Sequence, residues 1–434
     1  LQRNRHSACW HNKDKDMGGF MSITTWLRNL ICVTGASLLA AVLGAATAFA
    51  QQTGPIKIGL LVPLTGPLAT PGTDMVDGFK LFWEQVGNTA GGRKVEYVIA
   101  DTTCNPDQAI TQARRLVHQE KVQIMIGPLC GHEGPAVAQV SKETGIPLVM
   151  DTAGADDVTK WNRTPTVVRT AVSASQIGHP FGDYLFKELG ARNVTFIGQD
   201  YTWGHEVTLG IVQTYKELGG KVAKIIWNPI GTKDYGPTVA AIAPDSDAVV
   251  AVVVGADRIR LFEAWFSFGM DKKFKIYGGY WMHQDALPQM DDRAVGMIGN
   301  SLHYATGLDT PDNKAFVDAF AKKYKRLPSW FAESAYTASL WSRTAIEAVK
   351  GNVEDKDAFL KAMRTATIKA PRGTLKMDEY DNPIQNVYVT RIQKINHPVI
   401  GSVLINVPIK TYENVSQFWT WTPEEFLKRG PYKR

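Results

Sequence analysis

The stretch "MIGPLCGHEG", residues 125–134, sets Cys130, His132 and Glu133 in a glycine-rich turn after an apolar run. Three chemistries use such residues: a metal site, a cysteine nucleophile, or a loop that receives an anion on its backbone. A zinc site needs three or four Cys, His or carboxylate ligands at recognised spacing. There is no C-x-x-C, and "HEGPA" and "HEVTL" both lack the second histidine of H-E-x-x-H. A cysteine nucleophile needs a free, activated thiol. G-x-S-x-G is absent, and "GNTAGGRK" ends in Arg-Lys where a phosphate loop needs Lys-Ser or Lys-Thr. No catalytic constellation, metal or cofactor is expected. The anion reading has a geometric basis: the stretch joins a strand's carboxyl end to a helix's amino end, where backbone amides and the helix dipole favour negative charge. Gly131 and Gly134 would let a ligand approach the main chain, although a tight turn alone also accounts for them.

The elements that must position this loop follow from periodicity. "IKIGLLVPL" reads as a strand, "TDMVDGFKLFWEQV" as a helix with Met75, Phe79, Phe82 and Val86 on one stripe, and "KVEYVIAD" as the next strand. Asn105 caps a further helix with Pro106 in its first turn; "VQIMIGPL", a helix stopped by Gly145, and "IPLVMD" complete a series that implies a parallel, doubly wound sheet. A second series runs from about residue 172, from "ASQIGHPFGDYLFKELG" through "NVTFIGQD" and "DAVVAVVVGA" to "KIYGGYW". Helices return at 312–324 and 332–350, followed by the β-like "VYVTRIQKI"; the last forty residues are weakly patterned.

The 434 residues, 44% hydrophobic and 21% charged, are enough for two domains with separate cores. The uncharged run "NLICVTGASLLAAVLGAATAFA" closes on Ala48-Phe49-Ala50 and is expected to be a secretory signal cleaved after Ala50, in preference to a membrane anchor. Residues 1–16, ahead of Met17 and Met21, carry no targeting information. Removing the leader (Arg3, Arg5, Lys13, Lys15, Arg28, Asp14 and Asp16) takes the 48 basic and 42 acidic residues to 43 and 40. Such a balance, with no basic stripe beyond "KKYKR", excludes nucleic acid as a partner. Cys104 and Cys130 become the only thiols of an exported chain, where two cysteines usually pair.

The succession "IKIGLLVPLTGPLA", "CNPDQA", "IGPLCG", "GIPLVMDTAG" and "QDYTWG" resembles the periplasmic branched-chain amino-acid binding proteins of ATP-driven uptake systems, over about 56–395. The resemblance implies an α/β type I binding protein: two Rossmann-like lobes, three hinge crossings, a ligand in the cleft, no catalytic activity and a membrane permease as partner. It places lobe one at 51–171 with 301–385 and lobe two at 172–300 with 386–434, in a periplasmic monomer. It assigns Cys104 and Cys130 to a disulfide that closes a loop of about 26 residues. It puts the ligand against Cys130, Gly131, His132 and Glu133, the loop of Ala153, Gly154 and Ala155, and from the other lobe Tyr201, Trp203, Gly255, Asp257, Arg258, Tyr280 and Trp281. Glu133 also admits a solvent-facing reading, and Trp203, Tyr280 and Trp281 a core reading. Three departures bear on specificity: Ala155 replaces a hydroxyl residue, Trp203 replaces a tyrosine, and "GGYWMH" lacks the acid that grips an ammonium group. The expected ligand is therefore a small aromatic carboxylate of the benzoate or hydroxycinnamate type, with a branched-chain amino acid or amide as the alternative. A ligand-sensing domain would continue into a transmembrane or signalling module, and "GPYKR" leads into neither; an exported hydrolase would need a nucleophile and base.

Overall fold

A computed structural model describes residues 54–433. The leader, with Cys9, Cys32 and the expected cleavage after Ala50, lies outside the described residues. Two sheets organise the rest. The first has the order β2-β3-β1-β4-β5-β6 and comprises β1 (Ile56–Val62), β2 (Thr89–Ala90), β3 (Arg93–Asp101), β4 (Ile124–Ile126), β5 (Leu148–Met150) and β6 (Val167–Arg169). All neighbours are parallel except β2 and β3, and all of β1 but Lys57 is buried, as a strand covered on both faces requires. Helices α1 (Ala69–Gln85), α2 (Pro106–His118) and α3 (Glu133–Thr144) alternate with these strands. Asn105 does cap α2, accepting from the amides of Asp107 and Gln108, and Gly145 ends α3 in the left-handed region at φ 66°.

Between β6 and α4 (Ala174–Lys187) the chain passes to the second sheet. Its order is β12-β13-β14-β11-β10-β9-β7-β8, with β15 on β14. The strands are β7 (Asn193–Gln199), β8 (Lys221–Asn228), β9 (Ala248–Val252), β10 (Lys275–Tyr280), β11 (Ile298–Leu302), β12 (Ile368–Ala370), β13 (Gly373–Met377), β14 (Pro383–His397) and β15 (Gly401–Val415). Helices α5 (Thr202–Glu217), α6 (Gly236–Ala240) and α7 (Asp257–Ser267) follow α4. After β11 the chain returns to the first half as α8 (Pro311–Tyr324), α9 (Trp330–Ala348) and α10 (Lys356–Thr365), then rejoins the second sheet through β12–β14. α9 lies directly on α1: Phe82 meets Tyr336 edge-on at 5.2 Å, and a Cβ on Gly78 would fall 1.9 Å from the Ala332 carbonyl oxygen.

The C-terminal forty residues are more ordered than their pattern suggests. β15 pairs along β14 for its full length, and α11 (Pro423–Lys428) carries a capping box between Thr422 and Glu425. Beyond β15 the chain leaves the second sheet and packs on Thr159 and Trp161 of the first half. Among the described residues no helix is long and apolar enough to cross a membrane.

Candidate ligand-binding site

Cys104 and Cys130 form a disulfide, which ties the start of α2 to the loop after β4. That loop then turns on itself: the amides of Glu133 and Gly134 donate to the carbonyls of Cys130 (3.0 Å) and Gly131 (3.2 Å). The amides of Glu133 and Gly134, half of those expected to receive an anion over residues 131–134, are therefore engaged within the turn. Glu133 is fully buried, so the solvent-facing reading is corrected. Its carboxylate accepts the Cys130 amide at 3.0 Å, and burial pushes its pKa up to about 7. His132 Nε2 lies 3.0 Å from the Cys104 carbonyl, which can only accept, so Nε2 carries the proton. The ring sits edge-on to Tyr201 at 5.8 Å, and burial lowers its pKa. A neutral His132 thus links the disulfide to the facing half.

The two halves meet around an aromatic pocket. Leu68, Cys130, Gly131 and Thr152 face Tyr201, Trp203, Val254 and Tyr280 across it, with Trp330 and Phe331 of α9 closing one side. Trp203 and Trp330 lie nearly parallel, 11° apart with centroids 6.3 Å distant, and Tyr280 stands edge-on to Trp203 at 5.2 Å. Trp330 Nε1 donates to His283 Nδ1 at 3.2 Å, and His283 packs on Tyr280 at 4.0 Å. Burial and the neighbouring Arg258 hold His283 neutral, well below its usual pKa. The remaining cavity is about 10 Å³, room for roughly one water. No charged side chain lines it.

Two glycines make this packing possible. A Cβ on Gly154 would sit 1.8 Å from Trp203 Cζ3, and one on Gly131 would be 3.2 Å from Trp203 Cβ. Ala153 and Ala155 are buried in the first half and act through their backbone: Ala153 donates to Pro128 O at 3.0 Å, and Ala155 O accepts from Arg169 at 2.5 Å.

Outside the pocket, Gly255 presses against Pro67 and Leu68, and beyond that contact lies a second cavity of about 390 Å³ lined by Lys233, Arg258, Arg260 and Asp285. Arg258 and Asp285 form a buried two-pronged ion pair. Asp257 lines neither cavity; it accepts from Gln199 and the Gly231 amide at 2.8 Å and pairs with Arg260. Trp281 is also placed away from the pocket. One residue beyond the end of β10, Trp281 turns away from Tyr280 into the core beside Phe262 and donates to Arg258 O at 3.1 Å. Leu68, Leu129, Thr152, Val254, Trp330 and Phe331 also line the pocket with no assignment from the sequence, and His283 packs on Tyr280 and Trp330. The available signal was "LPSWF": Ser329 caps α9 and thereby fixes two large rings in its first turn.

Two α/β halves closing on a pocket at their strand ends define a binding protein of the two-lobed periplasmic kind. The chain belongs to the periplasmic binding protein family, whose sequence model matches residues 55–396. It is 27% identical over 381 residues to Leu/Ile/Val-binding protein homolog 6 of Brucella suis, covering 86% of this chain and 94% of that protein. It also resembles solute-binding proteins of ABC transporters from Rhodopseudomonas palustris. One, from strain BisB5 in complex with 3,4-dihydroxybenzoic acid, is 26% identical with a TM-score of 0.78 over 84% of this chain and 98% of the other. Another, in complex with benzoate, is 27% identical with a TM-score of 0.75 over 83% and 99%.

Proposed function

We propose that this protein captures a small aromatic carboxylate of the benzoate or hydroxycinnamate type in the periplasm and delivers it, as a monomer, to the permease of an ABC uptake system. One observation carries the reading: the inner pocket is walled by aromatic rings and contains no acid. An amino acid brings an ammonium group whose burial without an acceptor is costly. The two acids of the second half that could replace the missing one are already engaged, Asp285 by Arg258 and Asp257 by Gln199, Gly231 and Arg260. An aromatic ring, by contrast, suits walls made of Trp203, Tyr280 and Trp330, which it can meet face-on or edge-on once the halves part and the closed cavity of about 10 Å³ widens. The carboxylate then meets the amides of Gly131 and His132. The solved proteins that bind benzoates support this reading.

Branched-chain amino-acid binding is the competing reading, favoured by the names of relatives such as the Brucella protein. A melting-temperature panel separates the two, since a ligand at 100 times its Kd adds about 2.7 kcal/mol. Benzoate, 4-hydroxybenzoate and 4-hydroxycinnamate are expected to raise the melting temperature by a few degrees; a rise with leucine or valine alone would refute the aromatic-acid reading.

A further inference from the structure

Behind the pocket lies a cluster of charges that ligand contact does not explain. Helix α5 presents two residues to the loop 154–156, three positions apart and so on one helix face. Trp203 packs on Gly154, and one turn later Glu206 accepts the amide of Asp156 at 3.0 Å. The loop belongs to the first half and the helix to the second, so this hydrogen bond joins the halves. Asp156 in turn pairs with Lys160 at 2.9 Å, both side chains fully buried, and its other oxygen accepts the Ser175 amide at 3.2 Å. The Lys160 ammonium also donates to Ser175 Oγ at 2.6 Å and lies 4.4 Å from the centre of the Phe426 ring. Its surroundings are thus a carboxylate, a hydroxyl and an aromatic face. Arg169, also buried, donates to Thr159 Oγ1 at 2.6 Å and holds Ala155 O.

Phe426 belongs to the C-terminal segment, which grips both halves. Gln417 accepts from Thr159 at 2.9 Å and the Leu427 carbonyl accepts from Trp161 at 3.1 Å on the first. On the second, Arg429 pairs with Glu217 at 2.7 Å and the Tyr432 hydroxyl meets His179 Nε2 at 3.0 Å. Removing this roof would admit water to the buried charges and weaken every ion pair and hydrogen bond among them.

We propose that Glu206, Asp156 and Lys160, roofed by Phe426 of the C-terminal segment, form a latch that positions the loop 154–156 under Trp203 and so sets ligand affinity from behind the site. The three are positioning residues, acting on the ligand through the loop and Trp203. The affinity arm of the test rests on the aromatic-acid reading; the exchange arm does not.

The test is amide hydrogen exchange on the full-length mature protein without ligand, followed by calorimetric titration with 4-hydroxybenzoate. Glu206→Ala removes the acceptor, while Glu206→Gln keeps an oxygen for the Asp156 amide; Phe426→Ala opens the roof. Exchange at 154–156 is expected to quicken roughly tenfold in Glu206→Ala and Phe426→Ala and to stay within about twofold in Glu206→Gln, with β1 and β9 unchanged in all three. Weaker 4-hydroxybenzoate binding by a similar factor in the same two variants is expected. Unaltered exchange at 154–156, or a uniform rise that includes β1 and β9, overturns the latch. If exchange moves as expected and the wild-type protein gives no heat with 4-hydroxybenzoate, the latch stands and the aromatic-acid reading falls.

Discussion

Gly154→Ala adds one methyl group at the point where the halves touch. The new Cβ would lie 1.8 Å from Cζ3, 2.6 Å from Cε3 and 3.0 Å from Cη2 of Trp203, where ordinary contact begins near 3.4 Å. The indole must therefore retreat by at least about 1.6 Å. Gly131 sits behind its Cβ, Tyr280 meets it at 5.2 Å and Trp330 at 6.3 Å, so the ring has no free direction within the closed pocket. Overpacking of this kind costs about 1 to 3 kcal/mol, equivalent to roughly 5- to 150-fold in affinity. The clash lies between the halves, so it can be relieved by opening and should cost affinity more than stability. Calorimetric titration with 4-hydroxybenzoate should show the loss while the ligand-free melting temperature moves by less than about 2 °C. In a Trp203→Leu background the same Gly154→Ala change should cost less, because the two changes share one contact. Wild-type affinity in Gly154→Ala would refute the packing argument.

Gly255→Ala should block closure, because its φ of 63° disfavours a side chain and the Cβ would meet Pro67 O at 2.7 Å; small-angle scattering on ligand saturation should show compaction in the wild type and none in the variant. Reducing the Cys104–Cys130 bond, which spans 26 positions, should cost about 3 to 4 kcal/mol and lower the urea midpoint by about 1 M. Burial pushes the Asp151 carboxyl up to about 8 from 3.8. The native state therefore keeps a proton that the unfolded chain releases near pH 4, and stability falls as pH rises from about 4 to about 8, by up to roughly 1.4 kcal/mol per pH unit. Asp151→Asn should remove that slope, so its gain in urea midpoint should be larger at pH 8.5 than at pH 5; equal gains at both would contradict the assignment.

The repeated β and α units are legible in the sequence because each strand is an apolar run and each helix keeps one apolar stripe. The position of Trp203 is legible as well, since it opens a helix after a strand end. Trp281 shows where adjacency misleads: it neighbours Tyr280 in sequence but, just past the end of β10, turns into the core beside Phe262. Trp330 and Phe331 reach the pocket from α9 through a return crossing that no local pattern encodes. The C-terminal aromatics Trp419, Trp421 and Phe426 follow no helical or strand period because each packs on partners far away in sequence, His179 among them.

The central claim is that the inner pocket selects a flat, anionic ring over a zwitterionic amino acid. Isothermal titration of 4-hydroxybenzoate and of leucine into the same unliganded preparation tests it most directly. Saturable heat with micromolar Kd for 4-hydroxybenzoate and none for leucine is the predicted result. Saturable binding of leucine, with 4-hydroxybenzoate silent, would contradict the account.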